Sequence, residues 1–369
     1  MSEFKNFFKK NFVVVISGAA ALISCAFVPV TDYVEYIDTD VMGILFCLML
    51  IIAGLRGNNL LAKIIGFVVK KAHIESTRRA AFIIAVMTFF LSMLVTNDAA
   101  LIALVPVTAV IFAEYPSLMI YAIAIQTAAA NMGSMATPVG NPQNLFIFSS
   151  YGVSAEDFFR AAAPTAVLSL GLILLLCMFM KNMPLVIDDY SRSELVNKRY
   201  TALYIILFVI VLLSVFGVLN VLVAFASVCV VVVIIEPKRF TEVDYGLILT
   251  FIFFFVFVGN IRNIPSVSRL AESVAAGREF PAAVVISQVI SNVPATVMLS
   301  GFTDNWKALM LGADIGALGT PVASLASLIS LRIYGETENS KQLRYLAVFT
   351  LVSIFMLAVL YPFAAFTQL

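Results

Sequence analysis

Charge is scarce in this chain. Only 12% of the 369 residues are Asp, Glu, Lys or Arg, against about 25% in a soluble domain. Lys+Arg number 23 and Asp+Glu 22, for a formal net charge of +1, so no nucleic acid and no acidic partner is implied. Histidine occurs once, as His73 in a basic loop, which argues against a zinc site and against a His-based triad. The four cysteines, Cys25, Cys47, Cys177 and Cys229, each lie in an apolar run without metal-ligand spacing. They read as small packing residues.

Apolar residues are abundant instead: 62% of the chain, with a mean hydropathy of +1.02. That composition excludes a soluble enzyme and a disordered chain and leaves a polytopic, all-α membrane protein. The polar, basic start Met1–Lys10 precedes a span without a cleavage site, and reads as a retained cytoplasmic end rather than a signal peptide.

A spanning helix needs about 20 apolar residues. Clear candidates are Phe12–Val30, Thr39–Leu55, Phe158–Met180, Tyr200–Leu219, Val221–Ile235, Tyr245–Asn260 and Leu343–Phe366. Between them lie interrupted stretches, two in each half. Ala80–Ala113 breaks at Thr96-Asn97-Asp98, and Pro116–Ser150 at Gly133–Asn144. Pro281–Phe302 breaks at Ser291-Asn292-Val293-Pro294, and Trp306–Ile333 at Gly316–Ser324. Each arm of Pro281–Phe302 is about 10 residues, or roughly 15 Å of helix, half of a hydrocarbon core. Two full crossings are impossible there, and a re-entrant hairpin or one kinked crossing remains.

Basic residues favour the cytoplasmic side. With both short stretches treated as hairpins, most of the 23 basic residues fall inside, among them Arg56, Lys63, Lys70, Lys71, Arg78, Arg79, Lys181, Lys238, Arg239 and Arg332. The expected topology has about nine crossings, N-terminus in and C-terminus out. Gly57–Glu75 reads as an interfacial helix, with Ile264–Ala276 as its counterpart in the second half.

The chain also repeats itself. Ala130-Asn131-Met132-Gly133-Ser134-Met135-Ala136-Thr137-Pro138-Val139 aligns without gaps on Ala313-Asp314-Ile315-Gly316-Ala317-Leu318-Gly319-Thr320-Pro321-Val322, with Ala, Gly and Thr-Pro-Val identical. Each copy follows a hairpin whose break carries an Asn. In the expected topology the copies run in opposite directions, which makes an inverted repeat of the secondary-transporter kind. The first repeat spans 1–181 with hairpin 80–113, the second 200–369 with hairpin 281–302, and a charged linker, 182–199, joins them.

Unwound backbone at membrane depth persists only where protein or a wet cavity satisfies it. A lone Thr-Pro break is often just a kink; recurrence at matched positions argues for a central polar site. Half-helix N-termini there suit an anion, and unwound carbonyls suit Na⁺. Asp98 and Asp314 are the carboxylates of the interrupted segments, and an intramembrane acid is by default a functional group. Asn131, Asn141, Gln143 and Asn144 crowd the first break; Ser324 and Ser327 occupy the repeat positions of Asn141 and Asn144. These amides are either substrate donors or caps for unwound backbone. Thr88, Thr296 and Ser300 read as ordinary interhelical hydrogen-bonders.

These motifs resemble a known superfamily. Val95-Thr96-Asn97-Asp98-Ala99-Ala100-Leu101, Ser291-Asn292-Val293-Pro294, Gly312-Ala313-Asp314-Ile315-Gly316 and Gly319-Thr320-Pro321-Val322-Ala323-Ser324 are similar to the ion transporter superfamily, particularly its arsenite/antimonite-permease-like anion permeases. Ala136-Thr137-Pro138-Val139-Gly140-Asn141-Pro142-Gln143-Asn144 resembles the citrate-transporter-like members and the divalent anion:sodium symporters. In the dicarboxylate members each hairpin tip carries Ser-Asn-Thr for substrate and Na⁺. Thr96-Asn97 and Ser291-Asn292 match two of those positions, while Asp98 and Val293 replace the final Thr. A fixed anion at Asp98 repels an anionic substrate unless a proton or bound cation neutralises it.

The resemblance implies an alternating-access secondary transporter of the plasma membrane, multi-pass and of bacterial inner-membrane type. It would move a small anion, an inorganic oxyanion or a carboxylate, driven by Na⁺ or H⁺, without other cofactors. A moving unit working against a dimeric scaffold is also implied, which makes a homodimer an expected partner beside the lipid bilayer. The expected site comprises Thr96, Asn97, Asp98, Asn131, Thr137, Gly140, Asn141, Ser291, Asn292, Asp314, Thr320 and Ser324, with Asp98 and Asp314 handling the cation. The alternative is a Na⁺/H⁺ antiporter of the same superfamily. An ion channel would want a continuous polar pore, and an intramembrane enzyme a recognisable catalytic motif.

Overall fold

A computed structural model describes residues 12–28, 33–185, 195–266, 268–269, 276–338 and 340–367. Lys5, Lys9 and Lys10 of the basic start, half of the linker, and the greater part of the Ile264–Ala276 counterpart lie outside the described residues.

The described chain is helical from end to end. In order come α1 (Phe12–Cys25), α2 (Tyr33–Tyr36), α3 (Thr39–Gly57), α4 (Leu60–Lys71), α5 (Thr77–Val95), α6 (Asn97–Ile111), α7 (Pro116–Ser134), α8 (Pro142–Ser150) and α9 (Ala155–Met178). Then follow α10 (Lys198–Val215), α11 (Val221–Ile235), a 3₁₀ turn (Pro237–Glu242), α12 (Tyr245–Arg262), α13 (Glu279–Ile290), α14 (Asn292–Ser300), α15 (Trp306–Gly316), a second 3₁₀ turn (Pro321–Ala323), α16 (Leu325–Gly335) and α17 (Gln342–Thr367). Among the described residues the β pairing is a single bridge, Ser76 with Pro184. Six helices, α3, α5, α9, α10, α12 and α17, are individually long and apolar enough to cross a membrane. The protein is a polytopic all-α membrane protein. Exposed Ile205, Ile206, Val209, Val230, Val233 and Ile234 on α10 and α11 form the kind of apolar surface that lipid covers.

Local chemistry sets the helix ends. Asp38, Ser76, Asn141, Ser154, Asn197, Asn220, Asp244 and Asn305 each place a side-chain oxygen on a free N–H of the following helix, the standard remedy for orphan donors at an N-terminus. Pro116 and Pro142 start α7 and α8, where a missing N–H costs nothing.

The interrupted stretches fold as follows. α5 and α6 form a hairpin, because both of its ends meet the segment after α9. The Thr77 amide donates to the Met183 carbonyl at 3.0 Å, and the Tyr115 hydroxyl to the Pro184 carbonyl at 2.9 Å. α13 and α14 form the second hairpin. Its base lies by Tyr151, whose hydroxyl donates to the carbonyls of Ser300 (3.3 Å) and Thr303 (2.8 Å). Tyr151 precedes α9 and residues 181–184 follow it. A helix of 24 residues is about 36 Å long, so the two hairpins enter the bundle from opposite ends. Each hairpin starts two or three residues before its expected bound and ends two residues short of it, at 77–111 and 279–300, and the interfacial segment after α3 is helical over Leu60–Lys71.

α3 packs against α10 and α11, and α1 against α12. The hairpin helices pack against α7 and α15 of their own halves. Across the halves α6 meets α16, and α14 meets α8, which brings all four breaks together.

Candidate functional site

Each hairpin turns on one strained residue. Thr96 and Ser291 both have positive φ, 79° and 75°, a region L residues seldom occupy. The residue after each is Asn, and its Oδ1 accepts from the next backbone amide, Asp98 N and Val293 N, both at 3.0 Å. The tips are then braced against the unwound segments. Asn97 N donates to the Gly140 carbonyl at 3.1 Å, and Ser291 Oγ to the Ala323 carbonyl at 3.4 Å. Thr137 Oγ1 donates to the Met93 carbonyl at 2.5 Å, and Thr320 Oγ1 to the Gln288 carbonyl at 3.2 Å. Close packing repeats as well. A Cβ on Gly133 would lie 2.4 Å from Ser92 Oγ, and one on Gly316 2.8 Å from Ser287 Oγ.

The helix starts converge on a cavity of about 10 Å³, room for one water at most. Asn97 and Asp98 open α6, Pro142 and Gln143 open α8, Asn292 and Val293 open α14, and Ser324 to Ala326 open α16; Leu247 completes the lining. Four helix N-termini therefore face one point, each with a partial positive charge from its dipole. Among the described residues no Lys, Arg or His lines the cavity. Ser291 and Ser324, at the N-caps of α14 and α16, make no side-chain capping bond; with Val293 N held by Asn292 Oδ1 and no N–H on Pro294, the first amides, Asn292 N on α14 and Leu325 N and Ala326 N on α16, are the donors these ends offer a ligand.

Polar contacts cross between the halves. Asn131 Oδ1 accepts from Asn97 Nδ2 (3.2 Å) and from Ser324 Oγ (3.1 Å), and Asn131 Nδ2 donates to Ser327 Oγ at 3.5 Å. Asp314 Oδ1 accepts from Asn141 Nδ2 and Gln143 Nε2, both at 3.1 Å. Asn131 and Asp314 occupy matching repeat positions, as do Asn141 and Ser324, so the Asn131–Ser324 and Asp314–Asn141 bonds are reciprocal. Asp314 is 1% exposed.

Of the twelve expected site residues, Asn97, Asp98, Asn292 and Ser324 line the cavity. Asn131, Asn141 and Asp314 are bonded directly around it, Gly140 receives a hairpin tip, and Thr96 and Ser291 form the turns. Thr137 and Thr320 stand apart: their hydroxyls tie the breaks to the preceding hairpin helices, and Thr320 is exposed. Gln143, which lines the cavity, was visible in the sequence as one of several amides. Gln288 was not. Its Nε2 donates to the carbonyls of Gly316 (2.8 Å) and Leu318 (3.0 Å), and its Oε1 accepts from Thr320 N at 2.9 Å. A single Gln in an apolar helix carries no signal of that role.

Two larger spaces flank the centre. One, about 150 Å³, runs from Arg56, Glu242 and Asp244 to Thr96 and Asp98, and shares Asp98, Pro142 and Leu247 with the central cavity. At its mouth Arg56 pairs with Glu242 at 3.0 Å, and Arg239 with Glu242 at 2.7 Å and Glu236 at 2.6 Å. The other, about 830 Å³, lies at the opposite end among Asp38, Tyr151, Arg262, Glu279 and Asp304, and shares no lining residue with the centre.

Known proteins place this arrangement. The family model described as citrate transporter matches residues 8–305. An uncharacterized transporter of Methanocaldococcus jannaschii is 32% identical over 96% of this chain and 97% of its own. Inner membrane protein YbiR of Escherichia coli is 29% identical over 70% of each chain. A silicon efflux transporter of Oryza sativa subsp. japonica is 28% identical over 45% of this chain and 34% of its own. With a helical bundle broken at four matched points around a polar centre, and with these relatives, the chain belongs to the citrate transporter family.

Proposed function

We propose that this transporter moves a small anion across the plasma membrane by alternating access, coupled to Na⁺ or H⁺. One observation carries the reading: the first residues of four helices line a single small cavity. Helix N-termini are anion sites by dipole and by free N–H groups, and unwound, ion-facing half-helices at a repeat interface suit secondary transport. The absence of basic side chains from that lining favours a weakly charged oxyacid or monocarboxylate over a trianion, whose further charges would need compensation. The silicon efflux relative is in keeping with an inorganic oxyacid, and the family description with a carboxylate.

Asn97 and Asn292 would contact the anion, and Asp98 and Asp314 would serve the coupling cation. Asp98 Oδ1 and Asp314 Oδ2 are buried and make no hydrogen bond among the described residues, so both carboxylates have unmet demand for a proton or cation. The 150 Å³ space leading to Asp98 gives one face access while the larger space stays separate, as one end state of alternating access requires. With the basic loops inside, the open face is cytoplasmic.

Proteoliposome flux tests this. Among arsenite, silicate, sulfate, C4 dicarboxylates and citrate, wild-type protein should take up a weakly charged oxyacid or carboxylate in preference to citrate under a Na⁺ or proton gradient, and Asp98→Asn should lose the coupling. Wild-type coupled flux in Asp98→Asn removes that residue from the mechanism. The second reading, a Na⁺/H⁺ antiporter, rests on the same two carboxylates; cation-driven pH changes without any anion would favour it.

A further inference from the structure

α4 (Leu60–Lys71) has 12 residues, about 18 Å of helix, too short to cross a ~30 Å hydrocarbon core. Asn59 before it and His73 after it have positive φ, 62° and 44°, so the chain turns sharply at both ends and α4 continues neither α3 nor α5. Three strips run along it. Leu61, Ile65 and Val69, spaced i, i+4, i+8, are buried. On another side Ile64 and Phe67 are exposed, Phe67 at 65%, with Lys71 one turn on and its Nζ 5.7 Å from the centre of the Phe67 ring. Beyond them Lys63 and Lys70, two turns apart and so on one face, are also exposed. From Gly57 to Thr77 three lysines and His73 meet a single acid, Glu75.

Water is a poor neighbour for Ile64 and Phe67, and hydrocarbon a poor one for three ammonium groups. The headgroup level suits both: the apolar pair enters the acyl boundary while the lysine stems carry their charges out to the phosphates. The cytoplasmic leaflet has a negative surface potential, and the excess of lysine matches it. Two apolar side chains are far less than the ~800 Å² a side that a stable protein interface buries, so lipid is the occupant that fits. The buried strip leads toward the site. Leu61 belongs to one apolar cluster with Ile52 of α3 and with Val95, Ala99 and Ala100 of the first hairpin, residues that flank the Thr96-Asn97-Asp98 tip. α4 packs on both α3 and α6, and Ile52 and Ala99 also line the space of about 150 Å³ that leads to Asp98.

We infer that α4 is a docking surface for anionic phospholipid of the cytoplasmic leaflet, with Lys63, Lys70 and Lys71 on headgroup phosphates and Ile64 and Phe67 in the acyl boundary, and that the bound lipid steadies the first hairpin tip through Leu61. This goes beyond the proposed function and holds whatever is transported. Lipid charge thereby acts on the element that carries Asn97 and Asp98 without touching the central cavity.

The test titrates the full-length, detergent-solubilised protein with dioctanoyl phosphatidylglycerol and, in parallel, with dioctanoyl phosphatidylcholine, reading melting temperature and amide hydrogen exchange. The anionic lipid should raise the melting temperature and slow exchange over residues 95–103. The zwitterionic lipid should do much less, and salt at about 0.5 M should remove most of the difference. A lysine beside an anionic surface is worth about a fivefold change in affinity. Lys63→Gln, Lys70→Gln and Lys71→Gln combined should therefore weaken the anionic response by about 10-fold or more. The same change at Lys198, Lys238 and Lys341, exposed lysines of other segments, should leave it within about twofold. Leu61→Ala should keep the rise in melting temperature and lose the slowed exchange at the tip. Equal responses to the two lipids, an α4 triple variant that responds as wild type, or a control triple variant that loses as much would overturn the inference. So would an α4 variant that loses a dimer rather than a lipid response, which makes the face a contact between copies. Slowed exchange at 95–103 persisting in Leu61→Ala would overturn the link to the tip. Failure of anion flux would remove the proposed function and leave each of these readouts intact.

Discussion

Thr96 and Ser291 share one backbone conformation, φ 79° with ψ 151° and φ 75° with ψ 154°, at the tips of hairpins that enter from opposite ends. Each such residue stores about 1–3 kcal/mol of strain, and its recurrence shows that the turn geometry is imposed twice by the same surroundings. Glycine relieves that strain at an entropic cost of about 0.5–1 kcal/mol. Ser291→Gly should therefore be more stable than Ser291→Ala by about 1 kcal/mol, read as thermal unfolding in detergent. A glycine variant no more stable than the alanine one would show that the tip is unstrained.

Gly133 and Gly316 are matched, yet their neighbours differ in how closely they approach. A Cβ on Gly133 would sit 2.1 Å from the Phe89 carbonyl oxygen, which is backbone. On Gly316 it would meet Ser287 Oγ at 2.8 Å and Ser287 Cβ at 2.9 Å, with the nearest backbone atom, Val284 Cα, at 3.2 Å, a milder clash. Gly133→Ala should cost about 3 kcal/mol or prevent folding, and Gly316→Ala about 1 kcal/mol. Folded yield and melting temperature of the two variants check the order.

Gln288 holds three backbone groups of the second break, where the first half has Met93 at the matching place. Gln288→Met should leave the Gly316 and Leu318 carbonyls without that donor and cost about 2 kcal/mol. Faster amide exchange confined to Gly316–Ser324 should accompany the loss. Unchanged exchange there would mean that Thr320 alone secures the segment.

The ion-pair cluster at the mouth of the smaller space makes stability pH-dependent. Burial pushes the Glu242 carboxyl up, but hydrogen bonds and charge from Arg239 and Arg56 outweigh it and hold the group below its ordinary value. A depressed carboxylate stabilises the fold fully above its ordinary value, near ~4.3, and loses that contribution as pH falls through the depressed one. At neutral pH Glu242→Gln should melt below wild type by an amount equivalent to about 1 kcal/mol, and the curves should converge in acid. A constant gap across pH would assign the effect to packing.

Much of the fold was legible because its breaks are written in residues that cannot continue a membrane helix quietly. Thr96-Asn97-Asp98, Ser291-Asn292, and the paired Gly and Thr-Pro steps punctuate otherwise apolar runs, and length alone made Pro281–Phe302 too short for two crossings. The pairing of residues across the halves was not legible. Nothing in spacing says that Asn131 meets Ser324, or that Asp314 meets Gln143, since those contacts depend on how distant segments of the chain interlock. The direction of a hydroxyl is equally hidden. Thr137 and Thr320 stand in the repeated motif as site residues, and the structure turns both toward hairpin carbonyls.

The central claim is that one anion is held jointly by hairpin tips from both halves. Anion-induced thermal stabilisation of the wild type, Asn97→Ala and Asn292→Ala tests it most directly. The account expects a small oxyacid or carboxylate to raise the wild-type melting temperature, and each single variant to lose most of that rise. An anion that stabilises both variants as much as the wild type would contradict it.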